Sequence, residues 1–378
     1  MAATRRSFLA MGSCASISSL TKVGIAAPAL MAASGAPSLR LVSNTGVPLI
    51  TTRHPDAAGN KFGFEGGRVL RPGQDYHLFV SEMAGDPIFV KMKLAHWRSS
   101  DGVHWKRVST LYESSGDYSG NDARGALWAP MPVYDPGEQR WNLFYVAYHT
   151  PPNTDGDLRT NYHGEIWRAT SEIRGMQGLG GPYKDNGVIL SPGPDSDPWE
   201  GFQGTDSFFP YHAGDAWYGF YGSCTVPLPI EGGGATRKPP FWWVGLAKAP
   251  RLAGPWKRVS ALNPVPIEKV FIENPVVTEL PEGGYLCVYD TQTPEAIGYA
   301  FSPDGMHWRP GKSLVIQSQP GVWCHDVRTP LGLVAEGRNE YFVYYTGFEN
   351  TPDWNKLLEA NGEGAVAAIG RARVRLEW

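Results

Sequence analysis

The sequence predicts an all-β chain, a five-bladed β-propeller with four antiparallel strands in each blade. Three observations carry that expectation. The first is a hairpin, Phe271 to Asp290 (FIENPVVTELPEGGYLCVYD), in which an acid, an apolar pair, a Pro/Gly turn and an alternating aromatic strand follow one another. The second is that the same plan recurs at Phe64 to Val80, Gly204 to Gly222, Trp128 to Tyr148 and Trp323 to Gly347. The third is composition: 45 Gly and 32 Pro are spread along 378 residues, with 42% hydrophobic residues and 14 Trp. Many turns and a large aromatic core suit stacked short strands.

Taken in order, the chain opens on Thr4-Arg5-Arg6-Ser7-Phe8-Leu9 and a mildly apolar Ala/Ser/Gly-rich stretch. Paired arginines before such a stretch resemble a bacterial twin-arginine signal over residues 1–37, with cleavage near Ser34-Gly35-Ala36. The expectation is export to the periplasm or medium, with no membrane association once the signal is removed. The propeller then occupies 38–378, starting with a strand over Leu39 to Val42 and a loop holding His54-Pro55-Asp56. In each blade the hairpin is followed by a third strand with small residues, then a turn and a Trp or Tyr. Blade one ends in Asp101-Gly102-Val103-His104-Trp105 and blade four in Asp304-Gly305-Met306-His307-Trp308. Asp-Gly supplies the tight turn and the Trp covers the outer strand. Blade two has Gly181-Pro182-Tyr183 and blade three Gly254-Pro255-Trp256. A repeat of about 45–65 residues holding four strands is what radial stacking requires, since one blade cannot bury both faces alone. A β-sandwich would give short strands without such a repeat.

No helix of any size is expected, beyond a short turn at Asp353 to Ala360. Loops at Pro151 to Gly164 and Ile230 to Pro240 read as surface loops near a binding face. Cys224, Cys287 and Cys324 show no metal-ligand spacing, and the first two read as buried packing. The formal charge of −3, without any Lys/Arg run, argues against nucleic acid as a partner. The oligomeric state is not legible.

Innermost strands of a propeller run side by side around the axis, so residues opening those strands meet at one mouth. Glu65, Asp206 and Glu273 hold that position in blades one, three and four. Glu65 precedes Tyr76 by 11 residues, Asp206 precedes Trp217 by 11 and Glu273 precedes Tyr285 by 12. Three carboxylates at one mouth repel and are partly desolvated, so their pKa values separate. One can keep a proton for a leaving oxygen while another activates water or attacks carbon, the condition for glycosidic cleavage. In blade one, Asp56 or Asp75 could stand in for Glu65. Trp128 and Trp323 open the inner strands of blades two and five and could stack on a sugar or pack between blades. Arg328 could bind sugar hydroxyls or pair with a catalytic carboxylate. Phe241-Trp242-Trp243 reads as core packing.

These stretches resemble the five-bladed propeller glycoside hydrolases, the clan of families 43, 32 and 68, and are nearest in plan to family 43. Gly204-Thr205-Asp206-Ser207 resembles that family's orienting-Asp motif, with Ser207 where Pro is usual. Ile272-Glu273-Asn274-Pro275 resembles its general-acid motif. Trp128-Ala129-Pro130 matches in blade two, with Met131 where an Asp often follows. Phe64-Glu65-Gly66-Gly67 departs most, since Asp-Pro is usual there. The resemblance implies Glu273 as acid, Asp206 as orienting residue, Glu65 as base or nucleophile, and inversion at carbon. It also implies an oligo- or polysaccharide substrate with a furanosidic or pentosidic (arabinofuranoside- or xyloside-like) bond, and no required cofactor. His325 is the candidate contributor to a hydrated structural calcium. The rival readings are a glycoside phosphorylase or transglycosylase on the same fold, and a non-catalytic carbohydrate-binding propeller.

Overall fold

The computed structural model describes residues 36–151, 161–225, 241–316, 323–348 and 366–378. Almost all of the export-signal reading over 1–37, the whole Ile230 to Pro240 loop, the middle of the Pro151 to Gly164 loop and the turn at Asp353 to Ala360 lie outside the described residues.

A strand, β1 (Ser38–Asn44), comes first. Blade one holds β2 (Phe64–Leu70), β3 (Tyr76–Gly85), β4 (Lys91–Ser99) and β5 (Lys106–Glu113). Blade two holds β6 (Ala126–Asp135), β7 (Arg140–His149), β8 (Tyr162–Arg174) and β9 (Tyr183–Leu190). Blade three holds β10 (Asp206–Ala213), β11 (Ala216–Cys224), β12 (Trp242–Ala249) and the two-residue β13 (Lys257–Arg258). Blade four holds β14 (Ile272–Glu279), β15 (Tyr285–Thr291), β16 (Ala296–Ser302) and β17 (Lys312–Val315). Blade five holds β18 (Asp326–Ala335), β19 (Glu340–Phe348) and β20 (Ala368–Glu377). Each sheet has four antiparallel strands, and β1 is the fourth strand of blade five. Leu39 pairs with Leu376 and Leu41 with Val374, so the start of the propeller locks onto its end. Among the described residues the helices are two short 3-10 turns.

The two Ser-x-Asp-Gly-x-His-Trp turns are built alike. Asp101 Oδ1 accepts from the backbone N–H of Val103 and His104, and Asp304 Oδ1 from those of Met306 and His307, each bond 2.8 Å. Gly102 and Gly305 take φ of 71° and 78°, the left-handed region that glycine enters without steric cost. Each turn places its Trp against the blade before it. Trp105 meets Tyr344 of blade five edge-on at 5.9 Å, and Trp308 meets Tyr211 of blade three edge-on at 6.2 Å. The Trp therefore seals a seam between blades. Cys224, Cys287 and Cys324 are buried.

The small residues of the third strands have a defined use. Gly245, Gly298 and Gly370 pair across the sheet with Tyr221, Tyr289 and Tyr345. A Cβ on Gly298 would fall 2.0 Å from the Tyr289 ring. The tyrosine ring lies over the glycine, and there is no room for both it and a methyl group. Gly298→Ala should therefore destabilise the protein by about 1–3 kcal/mol, the usual cost of overpacking. In urea denaturation the double variant with Tyr289→Ala should cost less than the sum of the two single variants; strict additivity would refute the contact.

Candidate active site

The site is assembled by a repeated irregularity. All five inner strands slip register against their neighbours just after their first residues, between Glu65 and Gly67, Trp128 and Met131, Asp206 and Phe209, Glu273 and Val276, and Val327 and Pro330. In four blades the residue at the slip is left-handed: Gly66, Ala129, Ser207 and Asn274, with φ of 62°, 51°, 52° and 52°. Such a bulge kinks the strand and re-aims the preceding side chain. A proline ring holds φ near −65°, so Gly66 and Ser207 could not be proline here, and both departures from the family-43 pattern follow from the local backbone. In blade five the residue at the slip is Arg328.

Glu65, Trp128, Asp206, Glu273 and Arg328 line one cavity of about 370 Å³. Asp56 and Asp75 do not line it: Asp56 is exposed and accepts from the Arg107 backbone N–H, and Asp75 pairs with Arg98 on the surface. Glu65 is thus the blade-one carboxyl at the mouth. Trp323 and His325 are not among the lining residues. The Trp323 ring stacks on Tyr345 at 5.9 Å and lies over Gly370. Calcium takes six to eight oxygen ligands. The His325 imidazole supplies none, and among the described residues no three His, Cys, Asp or Glu side chains are grouped to hold a metal.

One guanidinium organises the carboxyls. Arg328 donates from Nε to Glu65 Oε1 at 3.1 Å and from Nη2 to Glu273 Oε2 at 2.9 Å. Its Nη1 lies 2.5 Å from Asp290 Oδ2, behind the cavity wall. Its face rests 5.6 Å from the Phe271 ring. Asp206 is held separately: Gln203 Nε2 donates to its Oδ2 at 3.2 Å, and the Ser207 hydroxyl lies 2.9 Å from the same oxygen and 3.0 Å from Asn274 Oδ1. Phe89, Tyr148, Trp242 and Phe271 supply an aromatic wall.

The electrostatics follow from burial. Desolvation lifts the Glu273 carboxyl to about 7, against the pull of Arg328 and with the repulsion of Asp206 and Glu65. Burial also raises Glu65, opposed by Arg328, and Asp206, opposed by the hydroxyls of Tyr148 and Ser207. Asp290 is held well above the usual carboxylate range by burial, again opposed by Arg328. One cation among these carboxyls cannot keep all of them ionised near neutrality.

Sequence reasoning missed Tyr148, Gln203, Asp290 and the cavity-facing position of Trp242. Trp242 reads as packing in an aromatic run. Its backbone bridges to Phe271, at the start of blade four's inner strand, and that brings its ring to the mouth. Asp290 had a signal: it is the cross-strand partner of Glu273 in the hairpin that opens on Glu273.

No known family profile and no curated protein matches this sequence. Solved structures do match in shape. One is a family 117 glycoside hydrolase produced by the marine bacterium Zobellia galactanivorans, 14% identical, with a TM-score of 0.56 and 90% of each protein covered. Another is BT0996 in an RGII complex, 14% identical, with a TM-score of 0.63, covering 89% of this protein and 92% of that one. A third is a GH43_1 enzyme from Xanthomonas citri complexed with xylotriose, 14% identical, with a TM-score of 0.53, covering 88% and 90%.

The raised Glu273 has a thermodynamic consequence. The folded protein keeps this proton up to about pH 7, whereas an ordinary glutamate releases it near 4.5. Folding binds a proton between those values, so stability falls as pH rises through that window, by roughly 3 kcal/mol from this group. Urea denaturation at pH 4.5 and 8 should show that loss in the wild type and a correspondingly smaller one in Glu273→Gln. Identical pH dependence in both would mean that Glu273 titrates normally. At the level of fold, this chain is a five-bladed propeller of the kind found in glycoside hydrolases of families 117 and 43.

Proposed function

We propose that the protein hydrolyses glycosidic bonds of oligo- or polysaccharides, with a furanoside or pentoside at the cleaved bond. The observation that carries this is the convergence of Glu65, Asp206 and Glu273 on one cavity with aromatic walls, with Glu273 poised near neutrality. Glu273 donates its proton to the leaving glycosidic oxygen. Glu65, beside Arg328, activates water or attacks the anomeric carbon. Asp206, fixed by Gln203 and Ser207, orients the sugar and raises Glu273 by repulsion. Trp128 offers a ring for a sugar face. Sharing one guanidinium keeps the bonded oxygens of Glu65 and Glu273 within about 8 Å, a bound that admits the carboxyl spacings of both retaining and inverting glycosidases. The acid, base and orienting groups all come from the chain, and the proposed chemistry calls for no cofactor. Arg5-Arg6 and the stretch behind them support export by a twin-arginine route, which would bring the enzyme to extracellular glycans.

The test is hydrolysis of a panel of furanosides, xylosides and polysaccharides by the purified protein, with product anomers followed by NMR. Turnover should not require phosphate; dependence on phosphate would make it a phosphorylase, and binding without product would make it a lectin-like propeller. kcat/KM should fall as pH rises through about 7, where Glu273 loses its proton, and fall again in acid as Glu65 gains one. Glu273→Gln should lose about 10²–10⁴-fold on substrates with poor leaving groups and far less on activated aryl glycosides. Its alkaline limb should disappear; full activity in this variant rules Glu273 out as the acid.

A further inference from the structure

A general acid hydrogen-bonded to an arginine presents a difficulty. A guanidinium in contact lowers a carboxyl by about 1–3 pH units, which works against the burial that lifts Glu273 toward neutrality. Asp290 answers it. It lies on β15 directly across the sheet from Glu273 on β14, and it is 1% exposed. It touches Arg328 at Nη1, the nitrogen that neither Glu65 nor Glu273 uses. It does not line the cavity. A buried carboxyl in that place serves neither solubility nor binding, and its desolvation is costly unless it has a task.

We propose that Asp290 and Glu273 form a proton-sharing carboxyl pair bridged by Arg328, with Asp290 the positioning residue that keeps a proton on the cavity-facing Glu273 at neutral pH. Asp290 and Glu273 compete for the single positive charge, and the proton that burial holds on the pair rests on one carboxyl or the other. The charged and titratable groups facing the pair are Arg328 and Asp326 on β18, Glu65 on β2, Asp206 on β10 and the Tyr148 hydroxyl on β7. Of these only Arg328 is cationic, so the surroundings add to the repulsion within the pair. In such a pair the two protons leave in separated steps that belong to both groups together.

The inference rests on the glycosidase reading for its purpose, but it can be tested without turnover. Carboxyl-carbon NMR of protein labelled at Asp and Glu would follow Glu273 and Asp290 directly. In the wild type both carbons should report the same two steps. In Asp290→Asn, which keeps shape but cannot ionise, the Glu273 midpoint should drop by about one pH unit or more, because Arg328 then serves Glu273 unopposed. Independent single-step curves in the wild type overturn the proposal even if the variant does not fold. An unmoved Glu273 midpoint in the folded variant overturns it as well. On a hydrolysed substrate, the alkaline limb of kcat/KM should move down with the midpoint, a shift that a merely structural role would not give. If the midpoint moves and neither protein hydrolyses any glycoside, the pair stands and the glycosidase reading fails.

Discussion

The candidate site depends on one part-buried guanidinium held among more carboxyls than it can neutralise. Arg328 reaches Glu65 in blade one and both Glu273 and Asp290 in blade four, from its own place in blade five. Taking these charges out of water is costly, and their mutual attraction offsets that cost only where the geometry satisfies every nitrogen. Here all three guanidinium nitrogens have a carboxyl neighbour. The arrangement ties three blades together at the mouth, and it leaves the cluster with an excess of acid that must keep protons. Its fixed geometry and its proton retention thus have a common source.

That arginine stands in the blade where the ring closes. Blade five takes β18, β19 and β20 from the end of the chain and β1 from the start. The seam between blades five and one is sealed by Trp105 against Tyr344 and by the parallel bridge between Gly63 and Ala367. The salt bridge from Arg328 to Glu65 crosses the same seam. Ring closure and the placing of the proposed base are therefore linked: loosening the β1–β20 pairing would shift Arg328 relative to Glu65 before it disturbed Asp206 in blade three.

The fold was legible because repeats amplify weak local signals. A single Pro/Gly turn before an aromatic strand says little, but five at similar spacing point to blades. The shared cavity of Glu65, Asp206 and Glu273 was legible for the same reason, since equivalent positions in equivalent strands meet at the axis. What stayed hidden depends on contacts between blades or across a sheet. Asp290 closes an alternating run, Tyr285 to Asp290, where an acid reads as a strand reaching solvent; only pairing with Glu273 turns it inward. Trp323 and Trp128 looked equivalent, yet the first lies over Gly370 inside its own blade and the second faces the cavity. Asp56, Asp75 and Glu65 could not be ranked until the chain placed two of them on the surface.

Glu65, the proposed base, is one methylene longer than the Asp of the motif it resembles. Glutamate carries one more rotatable bond than aspartate, and a base that wanders costs rate through lost orientation. Gly66 takes the left-handed turn, with φ of 62°, that lets the strand bulge after the acid. The bond from Arg328 Nε to Oε1 then pins the far end of the longer side chain. The extra methylene, the glycine and the arginine form one solution: reach is gained by length and precision is restored by an ion pair. Such compensation is invisible to comparison residue by residue. The chain shares its fold with a family 117 glycoside hydrolase along most of its length at 14% identity; a fold can hold its strand ends in place while the residues on them change.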